Sequence, residues 1–130
     1  MQEHGDGMQV VLRTVTRPMD IDASGHIPSG WLLARLDQAG AVVPSGHFAR
    51  PAVLAELDAL RVLARPALGE RVSFLAKPLE VQDGQVRMLV EAWAEAAGQG
   101  APRLLVRAAA RFVLGEVCAP EHLFPGSFPA

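Results

Sequence analysis

Residues 18–43, PMDIDASGHIPSGWLLARLDQAGAVV, divide into two halves with opposite chemistry. The first, 18–29, carries two Pro, two Asp, a Gly and two Ser, the residues that build turns, and reads as a long polar loop. The second reads as a helix from 30 to about 43, with Ser29 as its N-cap. Leu32, Leu36, Ala39 and Val43 fall on one face, and Pro44 and Gly46 are expected to end it. Everything else in the chain has to be arranged around this one long helix.

Working outward, residues 8–16 (MQVVLRTVT) are β-branched and mildly alternating, and they stop at Arg17-Pro18, so they read as a strand. Residues 52–64 (AVLAELDALRVLA) are ambiguous. Their Ala, Leu and Glu favour helix, yet Val53, Ala55, Leu57, Ala59 and Leu63 also alternate. In ERVSFLAKPLEVQ, Val72, Phe74 and Ala76 alternate up to an Asp83-Gly84 hairpin turn. The return strand carries Val86, Met88, Val90, Ala92 and Ala94, and the same period recurs over 103–114 in Leu104, Val106, Ala108, Ala110, Phe112 and Leu114. One early helix followed by a meander of long antiparallel strands is an α+β plan, in which each element has one apolar face to bury against the other. No repeat or linker divides the chain, so residues 1–130 are expected to form a single domain with its core at about 8–116. The Pro-containing tail, 118–130, is expected to add no regular structure.

Composition narrows the function. The chain has 130 residues, 12 Lys and Arg against 14 Asp and Glu, and a net charge of -2, which offers phosphate backbones and anionic membranes no general attraction. A single Cys, Cys118, cannot form an internal disulfide or a zinc cluster, and MQEHGDGMQ has neither the basic nor the apolar region of a secretion signal, so the cytoplasm is the expected compartment. Arg107 and Arg111 interrupt the most hydrophobic stretch, which excludes a spanning helix there. Of the hydrophobic residues 21 are Ala and none is Tyr, so the core must rest on Leu and Val.

Asp37 stands out as a candidate for chemistry. Its helical neighbours three and four residues away are Leu33, Ala34, Gly40 and Ala41, none able to pair with a carboxylate. Small residues at 30, 34, 40 and 41 would let another backbone or a narrow ligand approach, leaving Asp37 as the reactive group of that cleft. The alternative is that Asp37 caps or hydrogen-bonds a neighbouring segment. Two turns earlier on the same helix, free amides at Gly30 and Trp31 with the positive end of the dipole would suit a carbonyl oxygen acquiring charge. Asp20, Asp22 and His26 could form an acid/base set or hold a metal, but in a loop of this composition they more simply cap turns. Ser29 has no evident base, which argues against serine nucleophile chemistry.

The run Asp22-Ala23-Ser24-Gly25-His26-Ile27-Pro28-Ser29-Gly30-Trp31-Leu32, with Asp37 beyond it, resembles the hotdog-fold acyl-CoA thioesterases. The segment from Leu60 to Glu70, an apolar strand running into Arg65-Pro66, a small residue and Gly69-Glu70, looks like the second-strand motif of the same family, and the resemblance covers roughly residues 10–116. It implies an antiparallel sheet wrapped around the helix, with 52–64 as a strand despite its propensity. It also implies thioester hydrolysis at a dimer interface by Asp37 as base or nucleophile, with Gly30 as oxyanion contact. Asp22 stands where many relatives have Asn and Ser29 where some have Gly; an ionised Asp22 cannot donate a hydrogen bond, so its role becomes that of orienting a donor. His26 matches a Gly-His variant of the loop. Ser29 and Trp31 would line the substrate, and Arg61 and Arg65 are candidates for the coenzyme A phosphates, the alternative being two solvated surface residues. The expected partners are an acyl-CoA and other copies of the chain, as a dimer or dimer of dimers, with no metal and no cofactor beyond the coenzyme A of the substrate. Two other readings stand beside hydrolysis: an enoyl-CoA hydratase of the same fold using Asp22 and His26, and a non-catalytic acyl-CoA binder or sensor.

Overall fold

A computed structural model describes residues 3–4, 7–96 and 99–115; the tail expected at 118–130, with Cys118, lies outside the described residues. In chain order the elements are β1 (Glu3–His4), β2 (Met8–Val15), a 3-10 turn (Pro18–Asp20), α1 (Ser29–Phe48), β3 (Ala52–Val62), β4 (Arg71–Gln82), β5 (Gln85–Ala96) and β6 (Gln99–Leu114). The strands form one antiparallel sheet in the order β1-β2-β4-β5-β6-β3, and α1 packs against β2 to β6. The α+β expectation holds.

The inward residues are those the alternation marks. Val72, Phe74, Ala76, Val86, Met88, Val90, Ala92, Ala94, Val106, Ala108, Ala110 and Phe112 are all buried against Leu32, Leu36 and Ala39 of α1. Strand 103–114 begins earlier than expected, at Gln99, and departs from strict alternation at one point. Ala92 faces Val106 but Trp93 faces Leu104, so Leu105 is the extra residue of a bulge. Leu105 is fully buried in the core where period-two counting places Leu104.

The ambiguous segment 52–64 is strand β3 over Ala52–Val62, hydrogen-bonded to β6 along its length. Helix propensity loses here because β6 offers a row of backbone partners that an isolated helix of this length could not match. The alternation read from this segment is broken by two bulges, one of which sets Ala59 at a left-handed φ of 51°. As an outermost strand, β3 leaves Leu57, Leu60 and Val62 exposed.

The helix runs past Pro44, where turn chemistry placed its end, to Phe48. Pro44 removes the hydrogen bond to the Gly40 carbonyl. Burial of Pro44 and packing of Phe48 on the core carry the helix one turn further. It stops at Ala49 in a left-handed conformation (φ 56°), with the amides of Ala49 and Arg50 returning to the carbonyls of Gly46 and Ser45.

At Gly40 the helix lies against the sheet with no room for a side chain. A Cβ built there would lie 2.5 Å from Cζ and 2.7 Å from Cε1 of Phe112, and 3.3 Å from Cγ2 of Val90, whose side chains are themselves fully buried. Gly40→Ala should therefore lower the melting temperature, because overpacking costs about 1–3 kcal/mol and outweighs the roughly 1 kcal/mol that Ala gains over Gly in a helix. An unchanged or raised melting temperature in a thermal scan would show that the ring can yield.

Candidate active site

The polar loop before α1 is built around one carboxylate. Asp22 Oδ1 accepts from the Ser24 amide (2.9 Å), the Ser24 hydroxyl (2.6 Å) and the His26 amide (3.1 Å), while the Asp22 amide donates to the His26 carbonyl and that of Gly25 to the Asp22 carbonyl. Gly25 closes the turn at φ 84°, a region that side chains rarely occupy. The Ser24 hydroxyl, and after it the His26 amide, hold the Asp22 carboxyl below the usual carboxylate range. Ser24 Oγ also lies 3.0 Å from His26 Nδ1. Asp20 is separate: its Oδ2 accepts from the Arg17 amide and caps the 3-10 turn. The two aspartates and His26 thus act in turns, and among the described residues no group of His, Cys, Asp and Glu gathers as metal ligands.

Opposite this loop runs the segment from β3 to β4. Its backbone is tied down at Leu63 and Ala64, whose amides share the Leu105 carbonyl, and at Thr16, whose hydroxyl donates to the Ala67 carbonyl and accepts from the Gly69 amide. The strongest tie is Glu70. Its carboxylate is forked by Arg103 at 2.6 and 2.8 Å and accepts from the Ala67 amide at 2.6 Å, and the same guanidinium donates to the Arg65 carbonyl. Glu70 is 8% exposed, so this ion pair anchors the loop from within. Between the two segments lies a cleft of about 300 Å³, with Ile21, Gly25, His26 and Ile27 on one side and Arg65, Pro66, Ala67 and Leu68 on the other.

The structure therefore brings His26 and Arg65 to one cleft, with Asp22 shaping its edge. It does not bring Asp37, Gly30, Ser29, Trp31 or Arg61 to that cleft. Asp37 is exposed on α1, with no partner among the described residues, on the face that also carries Gly30, Ala34 and Ala41. Gly40 does not belong to that face, because it is pressed into Phe112. The N-cap is Pro28, with Ser29 as the first helical residue, and the Trp31 amide donates to the Pro28 carbonyl at 3.0 Å. The open donors of the first turn are thus the amides of Ser29 and Gly30, and Gly30 faces open space. Trp31, expected to line the substrate, has its side chain in the core at 8% exposure, beneath the Arg35 guanidinium 5.1 Å from the ring centroid. Arg61 is exposed on β3, opposite Arg107.

Sequence reasoning missed two participants. Ser24 was readable as the third residue of an Asp-x-Ser turn. The Glu70–Arg103 pair had no local signal, because its members are 33 residues apart.

No family model matches the chain. It is similar to the acyl-CoA thioester hydrolase YciA of Escherichia coli, 29% identical over 84 residues that make up 65% of this chain and 64% of that protein. It is also similar to an uncharacterized acyl-CoA thioester hydrolase of Zymomonas mobilis, 28% identical over 63% of this chain and 55% of that one. The match to the corresponding Buchnera aphidicola protein is 25% identical and covers 65% of this chain and 62% of that one, so the chain spans about six-tenths of the curated relatives it matches. Among solved structures, the hexameric thioesterase y2039 from Yersinia pestis superposes with a TM-score of 0.78 at 25% identity, covering 84% of this chain and 88% of that one. A hexameric broad-specificity acyl-coenzyme A thioesterase, HI0827, gives 0.77 at 22% identity over 89% and 83%. The resemblance to hotdog-fold acyl-CoA thioesterases holds, and the fold is the hotdog fold.

The anchor of the cleft can be tested by pH. Arg103 holds the Glu70 carboxyl low, with the Ala67 amide adding to it and burial opposing. A carboxyl depressed in the folded state stabilises at pH above its unfolded value and loses that contribution as pH falls through the folded value. Arg103→Met should cost about 2 kcal/mol at pH 7, less than for a fully buried pair because the Arg103 side chain is 46% exposed. In urea titrations the deficit should narrow below pH ~4, as Glu70 protonates in both proteins; a deficit independent of pH would mean the loss is one of packing alone.

Proposed function

We propose that this chain is an acyl-CoA thioesterase, hydrolysing an acyl-CoA to the free acid and coenzyme A. The observation that carries the reading is Asp37: a carboxylate without a partner among the described residues, on a small-residue face of the central hotdog helix, two turns from the open amide of Gly30. Two turns of helix are about 10 Å, the span of a carbonyl, an attacking water and the hydrogen bonds at either end. In this reading Asp37 takes a proton from water, or attacks directly as nucleophile. The Gly30 amide, at the positive end of the helix, stabilises the oxyanion, and the C–S bond then breaks to release the coenzyme A thiolate. Asp22, ionised and accepting from three donors, orients the loop that supplies these groups, with Ser29 at the helix entrance. Arg65 at the cleft, and Arg61 on β3, are the candidate contacts for the phosphates. Two neighbours of the same fold were also solved with an aspartate replaced by alanine, which fits a working role for an aspartate.

The site is half open in one chain. Among the described residues nothing covers the face bearing Asp37 or the exposed apolar residues of β3, which supports an assembly of at least two copies; y2039 and HI0827 are themselves described as hexameric. A sedimentation experiment at working concentration should find no monomer. The catalytic reading is checked by thiol release from short, medium, long and aryl acyl-CoAs. Asp37→Ala should lose at least ~10²-fold in turnover with the fold intact, and a variant that keeps full activity would remove Asp37 from the mechanism. Loss of enoyl absorbance without thiol release would instead favour hydration, and tight binding with no turnover would favour a sensor.

A further inference from the structure

The hydrogen atoms of the loop can be assigned from its distances. Asp22 Oδ1 and Ser24 Oγ are 2.6 Å apart, a separation at which one proton must lie between them, since otherwise two sets of lone pairs would face each other. Asp22 is held in its ionised form by this contact and by the His26 amide, so the shared proton is the serine's own. A hydroxyl has one proton to give. Ser24 Oγ can then meet His26 Nδ1, 3.0 Å away, only as an acceptor. Nδ1 must carry a hydrogen, and in the neutral ring Nε2 must be the bare nitrogen.

We infer that Ser24 is a positioning residue: fixed by Asp22, it holds His26 as the Nδ1–H tautomer and so presents Nε2 as a proton acceptor at the cleft between Ile21–Ile27 and Arg65–Leu68. His26 lines that cleft, and Nε2 has no partner among the described residues. Because Nδ1 keeps its hydrogen in both charge states, a proton enters and leaves His26 through Nε2 alone. The charged groups around the ring are Asp22 on its own loop and Arg65 on the opposite wall. On the hydrolytic reading, where Asp37 takes the proton of the attacking water, Nε2 is placed to accept a hydrogen bond from water or substrate and, once protonated, to return a proton to the departing thiolate. This last step rests on the hydrolytic reading; the tautomer does not.

The test uses the intact protein labelled with 15N and two-bond nitrogen–proton spectra of its histidines above their titration, with the His26 signals identified by their absence in His26→Gln. The wild type should show Nδ1 protonated and Nε2 bare. Ser24→Ala should shift His26 toward the Nε2–H form, and Ser24→Thr, which keeps the hydroxyl, should restore the wild-type pattern. A bare Nδ1 in the wild type overturns the inference whatever the variants do, and so does an unchanged tautomer in Ser24→Ala. The kinetic arm is the pH profile of kcat/KM for thiol release. The limb set by His26 should fall at the value read by NMR, and Ser24→Ala should lower kcat/KM about 10-fold and displace that limb. A limb that ignores Ser24→Ala would overturn the catalytic consequence. Absence of thiol release by the wild type would count against hydrolysis while the spectra still decide the tautomer.

Discussion

Gly40 of the central helix lies against the ring of Phe112 with no room for a Cβ, and this sets how near the helix lies to its sheet. A helix that approaches a sheet this closely needs small residues beneath it. The inward positions of β5 and β6 supply them in two pairs, Ala92 with Ala94 and Ala108 with Ala110, beside larger side chains. The high alanine content, which by composition alone looks like a thin core, is the complement of that approach. With Leu32 and Leu36 on one side of the helix committed to the sheet, Gly30, Ala34 and Asp37 on the opposite side are left facing outward, while Ala41 beside them is half-buried against the core.

Two polar clusters then hold the walls of the cleft. On one side Asp22 collects three donors and turns a Pro- and Gly-containing loop into a defined turn leading into the helix. On the other, Glu70 and Arg103 clamp the segment that carries Arg65 and Leu68. The two differ in what they do energetically. Asp22 is solvated and acts by organising backbone donors, whereas Glu70 is buried and would be a costly carboxylate without its guanidinium. Other ion pairs, Arg71–Glu95, Arg87–Asp58 and Arg111–Glu56, are more exposed and contribute at most about 1 kcal/mol each. Arginine supplies every cation in these pairs, so its abundance here serves the fold first and any phosphate contact second.

Much of this was legible in the chain as written. The helix face, the inward sets of β4, β5 and β6, the hairpin at Asp83-Gly84 and the turn character of 18–29 all follow from short-range periodicity and local turn chemistry, and these act within a few residues. Of the candidate site, Asp37 stands out by itself as a carboxylate among small and apolar helix neighbours, whereas Asp22, His26 and Gly30 were marked by the family resemblance of their loop. What tertiary structure decided is whatever depends on a distant partner. Residues 52–62 became a strand because β6 pairs with them, Leu105 replaced Leu104 in the core because of a bulge, and the helix passed Pro44 because Pro44 and Phe48 found burial. Gly40 turned from the outward face to the sheet, Trp31 went into the core, and Glu70 found Arg103 across 33 residues. Sequence alone determined which residues have apolar faces and which prefer turns, since those are properties of neighbours along the chain. Which faces meet was decided by packing, since a contact energy depends on both partners and only the folded chain brings them together.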